Sequence, residues 1–109
     1  MVARSMAASH YEVDQEYQVI VDPSVYDRMF HHFMFLAEVD VDAARKLEQD
    51  MVATLRSLSF LPQRHPYYDN PHMPAKRYRA AQVSNYHRII FVVEVDKVYV
   101  DNIIDSCSQ

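Results

Sequence analysis

The chain has 109 residues, half of them apolar and 12% aromatic, with a formal net charge of −4, one cysteine and no glycine. That length supports one domain with a single core. Its longest apolar runs, residues 33–37 and 89–93, are far too short to span a bilayer, and the lack of glycine excludes P-loops and dinucleotide fingerprints.

The first fifteen residues, MVARSMAASHYEVDQ, lack the apolar stretch of a signal peptide and are expected to form a loose tail, with one domain over residues 16–109. Cys107 stands alone, which excludes an internal disulfide and fits a reducing cytoplasm. YQVIV (17–21) is β-branched and suits a first strand. It stops at Asp22 and Pro23, a cap followed by a residue suited to the first helical position. Val25, Met29, Phe33 and Leu36 then recur at helical spacing, with Tyr26, Phe30 and Ala37 beside them, giving an amphipathic helix with a broad apolar face. The aromatic and methionine residues of this helix are expected to be core. After VDVD, with Asp42 as cap, Ala44, Leu47, Met51, Leu55 and Leu58 mark a second helix. The short connection makes the pair a helical hairpin.

Residues 62–74, PQRHPYYDNPHMP, hold four of the five prolines and suit an ordered, extended loop. KRYRAAQV, YHRIIFVVEV and KVYVDNIID follow, three strands joined by tight turns. The expected fold is α+β: a helical hairpin on one face of a small, mainly antiparallel sheet, in the order β-α-α-β-β-β. Without glycine, turn positions with positive φ should fall to Asn70, Asn85 and Asp96.

Charge is unevenly distributed. Residues 1–61 carry five Lys/Arg against ten Asp/Glu, residues 62–91 five against one, and residues 92–109 one against four. The cations therefore cluster in the segment holding Arg64, Lys76, Arg77, Arg79 and Arg88, a footprint suited to an anionic partner. Side chains alternate along a strand, and a two-residue turn at Ser84-Asn85 pairs Ala81 with Arg88 and Arg79 with Ile90. Arg77, Arg79, Tyr86 and Arg88 then share the face away from the helices, joined by Tyr99, Asp101 and Ile103. Tyr78, Ala80, Ile89, Phe91, Val93, Val98, Val100 and Ile104 face the core. His87 should point towards the helices. No His-x3-His or Cys-x2-Cys spacing occurs, so no metal site and no cofactor are expected.

The element order, the SLSFLPQRHP that closes the second helix, and RYRAAQVSNYHRIIFVVEVDKVYVDNIID together resemble the RelE/ParE superfamily of toxins from bacterial type II toxin–antitoxin modules. The resemblance covers about residues 16–106. It implies a cytoplasmic toxin with a cognate antitoxin as partner. It leaves three activities open: ribosome-dependent cleavage of mRNA, inhibition of DNA gyrase by protein binding, or a remnant that binds only its antitoxin. For cleavage, Arg88 matches the arginine that many ribonuclease members use at the scissile phosphate. Arg79, Tyr86, Tyr99 and His72 are the further catalytic candidates. Arg64, His65, Lys76 and Arg77 would contact RNA or partner. The chain ends DSCSQ where one group of ribonuclease members carries a His-Tyr pair, so the general acid and base stay unassigned.

Overall fold

The structure is a computed structural model that describes residues 15–105. The expected tail and Cys107 fall, apart from Gln15, outside these residues. Strand β1 (Gln18–Val21) leads into helix α1 (Pro23–Ala37) and helix α2 (Val41–Ser57). A short 3-10 turn at Pro62–Arg64 and the proline-rich loop follow, then β2 (Tyr78–Gln82), β3 (His87–Glu94) and β4 (Lys97–Asp105). The order β-α-α-β-β-β and the α+β class are as the sequence indicates. The sheet runs β1-β4-β3-β2, with β1 parallel to β4 and the other pairs antiparallel.

Local chemistry starts both helices. Asp22 accepts from the Ser24 amide at 2.9 Å, and Pro23 opens α1. The cap of α2 is Asp40 rather than Asp42: its carboxylate accepts from the Ala43 amide at 3.0 Å. Both apolar stripes turn inward. Val25 and Met29 of α1, and Leu47 and Met51 of α2, pack with Leu58 on Ala81, Ile89, Phe91, Val98, Val100 and Ile103. The apolar face of α1 is nevertheless wider than the core it covers. Tyr26, Phe30, Met34 and Phe35 remain at least half exposed, against the expectation that they are core.

Two register details depart from the sequence reading. Gln82, not Ala81, lies opposite Arg88, and Phe91, not Ile90, lies opposite Arg79. The β2–β3 hairpin closes with the Val83 amide donating to the His87 carbonyl, so its loop is Ser84-Asn85-Tyr86. One extra loop residue flips all of β2 relative to β3. Further on, a β-bulge between Ile90 and Phe91 leaves Asp101 as the extra residue of β4. It sends Ile103 into the core and Ile104 to the opposite face. The helix-facing side of the sheet therefore carries Arg79, Ala81, Ile89, Phe91, Val98, Val100 and Ile103. The other side carries Tyr78, Ala80, Arg88, Ile90, Val92, Tyr99 and Ile104.

Among the described residues the positive-φ positions are Leu61, Lys76 and Val95, not Asn70, Asn85 and Asp96. Asn70 serves its turn differently, accepting from the His72 amide at 2.8 Å. Val95 is the costly position. It is β-branched, has φ 55 and is 91% exposed in the β3–β4 turn, so its side chain offers no packing to offset the strain. Val95→Asn is expected to stabilise the fold by about 1 kcal/mol, raising Tm by roughly 4–8 °C in a thermal melt.

Candidate anion-binding site on the open sheet face

The proline-rich loop runs beside β2 as a further edge. Tyr68 donates its amide to the Tyr78 carbonyl at 2.7 Å, Ala80 donates to the Pro66 carbonyl at 3.0 Å, and Tyr67 and Arg79 form an antiparallel bridge. Alternation then puts Tyr67 with Arg79 on the helix side and Tyr68 with Tyr78 and Arg88 on the open side. Tyr68, Asn70 and Met73 fold over Ile90 and Ile104, and with Tyr78, Asp101 and Asn102 they line a cleft of about 280 Å³.

The arginines are split between the faces. Arg79 sits on the helix side, where its guanidinium donates to the Gln63 and His65 carbonyls at 3.1 and 2.7 Å and lies 4.0 Å from the Tyr67 ring centre. It staples the proline-rich loop. Arg79→Ala should destabilise the fold by about 2 kcal/mol in denaturant unfolding, through lost charge-assisted bonds and ring stacking. Arg77 lies just before β2 and is paired with Glu94 at 3.1 Å. Arg64 donates to the carbonyls of Ser57, Phe60 and Leu61, closing the C-terminus of α2. His65 packs edge-on against Phe91 at 5.7 Å between ring centres, and burial, then Arg64 and Arg79, holds its pKa below the usual imidazole value. Lys76 is exposed.

Arg88 is different. It is half-buried on the open face, its guanidinium 5.2 Å from the Tyr68 ring centre. It takes part in no ion pair among the described residues, and its buried Nε has no hydrogen-bond partner there. A buried donor without an acceptor is costly, and a guanidinium fork is matched to carboxylate or phosphate. The arrangement suits capture of an oxyanion.

The other expected catalytic candidates do not gather round Arg88. Tyr86 leaves the strand and borders a separate cavity of about 260 Å³ with His32, Phe35 and His87. His87 faces the helices, as alternation indicates: its ring meets His32 edge-on at 4.9 Å, and Nδ1 is 3.0 Å from Ser84 Oγ. Burial, then His32, lowers its pKa, against a smaller upward pull from Asp105. Tyr99 is on the open face but opposite Val92, four rungs from Arg88, or about 13 Å along the strand. His72 is exposed, between cleft residues Asn70 and Met73.

The sequence put Asp101 on the face of Arg88, without a role in the chemistry. Asp101 enters the cleft on the bulge, two to three rungs from Arg88. Burial, followed by the Asp22 carboxylate, raises its pKa, while a hydrogen bond from Tyr78 and the Arg77 charge pull it back. A carboxyl shifted upward in a cleft lined by two tyrosine rings, on the same sheet face as Arg88, can accept a proton from a hydroxyl. The bulge that brings Asp101 in has no sequence signature. Among the described residues, no group of three His, Cys, Asp or Glu side chains could hold a metal ion.

No protein-family model matches the chain, and none of the curated proteins matches it in sequence. Solved structures do match. A chain from the chromosomal ParDE TA system of P. aeruginosa superposes with a TM-score of 0.68 at 11% identity, over 84% of this chain and 98% of that one. A chain from the YoeB-YefM complex of Staphylococcus aureus gives 0.47 at 10% identity, over 81% and 94%. The first of these shows the fold, an α+β fold of the ParE/RelE-like type.

Proposed function

We propose that the protein is the toxin of a type II toxin–antitoxin module and acts as a ribosome-dependent mRNA endoribonuclease in the cytoplasm. The observation that carries this reading is Arg88, a half-buried guanidinium without a carboxylate partner among the described residues, on the same sheet face as the cleft that holds Asp101. In the reaction, a ribose 2′-hydroxyl loses its proton to Asp101 and its oxygen attacks the neighbouring phosphorus. The P–O5′ bond breaks, leaving a 2′,3′-cyclic phosphate and a 5′-hydroxyl, the latter protonated by water or a ribosomal group. Charge builds on the non-bridging oxygens, where Arg88 offers two donors. Tyr68 and Tyr78 present ring faces on which a base can stack.

The net charge of −4 works against binding any RNA through bulk charge, so this reading rests on Arg88 and not on the overall balance. The partner that restrains such a toxin is its antitoxin, encoded beside it. No helix of the described residues is long and apolar enough to cross a membrane.

A second reading draws on two observations: the scatter of Arg77, Arg79, Tyr86, Tyr99 and His72 away from Arg88, and the fold shared with a ParDE chain. In it the protein inhibits DNA gyrase by binding and cuts nothing. Induced expression in a growing bacterium, with mapping of RNA ends and a gyrase cleavage assay, separates the two. New ends within ribosome-bound mRNA support the nuclease. Arrest with intact mRNA and gyrase-linked DNA breaks supports the second reading, and undisturbed growth contradicts both.

A further inference from the structure

The outer side of the helical hairpin carries apolar surface that its own core does not use. Tyr26, Phe30 and Met34 recur every four residues along α1 and are 55%, 59% and 50% exposed. Tyr26 also borders a groove of about 360 Å³ between the helices, with Glu48, Val52 and Arg56 of α2 on its other wall. Val52 is 37% exposed. Together these side chains offer on the order of 400 Å² of open apolar area. A standard interface buries about 800 Å² on each partner, roughly 65% of it apolar in homodimers. The hairpin thus supplies most of the apolar share of one side of a dimer.

The charges on this face indicate which partner fits. Glu48, Val52 and Arg56 stand at i, i+4 and i+8, one above another on α2. Neither Glu48 nor Arg56 takes part in an ion pair among the described residues. An acid and a base placed symmetrically about an apolar residue are complementary to the same row running in the opposite direction. A two-fold axis across the hairpin, level with Val52 and Phe30, would set Glu48 of each copy against Arg56 of the other. Val52 would meet Val52, Phe30 would meet Phe30, and Tyr26 would meet Met34. Such an isologous contact closes on itself. We infer that the free protein forms a homodimer through this face, the two hairpins packing antiparallel as a four-helix layer. The inference stands independently of the nuclease reading, because its readout is mass and not activity.

The experiment is sedimentation equilibrium on the purified full-length chain, with circular dichroism to confirm that each variant folds. The wild-type protein should dimerise. Glu48→Arg and Arg56→Glu each replace both reciprocal attractions by repulsions, and each alone should weaken the dimer roughly tenfold or more. An equimolar mixture of the two variants restores opposite charges across the axis and should dimerise like the wild type. Phe30→Asp should leave a folded monomer. A wild-type chain that stays monomeric up to its solubility limit would overturn the inference and assign this face to a different protein. A dimer indifferent to the charge changes, or a mixture that fails to re-form one, would overturn it equally.

Discussion

Arg88→Ala is expected to abolish growth arrest and mRNA cleavage, lowering the cleavage rate by about 10²–10³-fold while leaving the protein folded. The size follows from removing a preorganised donor pair aimed at charge that exists only as the phosphorus is attacked. The fold should tolerate the change, because among the described residues Arg88 bonds to no carboxylate that it would abandon, and its guanidinium lies over the Tyr68 ring. Arg88→Lys keeps the charge but loses the fork, and should recover only part of the rate. Single-turnover cleavage on ribosomes, with thermal melts of each variant, checks both statements. Cleavage by Arg88→Ala at the wild-type rate would remove the site from the reaction.

Asp101→Asn is expected to cost about 10²–10⁴-fold in cleavage, the usual contribution of a general base. The amide oxygen can still accept from Tyr78, so the cleft should keep its shape. A pH profile gives an independent readout. The carboxyl works as a base only when ionised, and its pKa lies above the ordinary aspartate value because of burial and the nearby Asp22. Wild-type cleavage should therefore fall as pH drops through that raised pKa. The residual rate of Asp101→Asn should not show that step. A variant with full activity, or one that keeps the acid limb, would transfer the proton to another group.

The helical part of the fold was legible in the sequence because packing follows a local period. The stripe Val25-Met29-Phe33-Leu36 and the stripe Ala44-Leu47-Met51-Leu55-Leu58 fix which face of each helix turns inward, and the structure keeps both. The β3 strand was legible for the same reason, with Ile89 and Phe91 in the core and Arg88 outside it. The β2 strand was not. Its face depends on whether the hairpin loop has two residues or three, and Ser84-Asn85-Tyr86 contains no glycine to mark the turn. A single residue of loop length carried Arg79 from the open face to the helix face.

The second half of β4 failed for a related reason. A bulge at Asp101 reverses the alternation, exchanging Ile103 and Ile104, and nothing in KVYVDNIID announces it. The basic segment likewise gave the right charge and the wrong picture. Arg64 closes a helix, Arg77 meets Glu94 and Arg79 holds the proline-rich loop, so one arginine of the cluster remains for an anion. Charge along a chain reports composition; partners are set by register.

In the proposed reaction Arg88 binds the anion and Asp101 accepts the proton, so that the RNA is cut through its own 2′-hydroxyl. This is tested most directly by chemical analysis of the ends left when the purified protein meets ribosomes programmed with mRNA. The expected ends are 2′,3′-cyclic phosphate on the upstream fragment and 5′-hydroxyl on the downstream one, both missing with Arg88→Ala. Intact mRNA, or fragments bearing 3′-hydroxyl and 5′-phosphate, would contradict it.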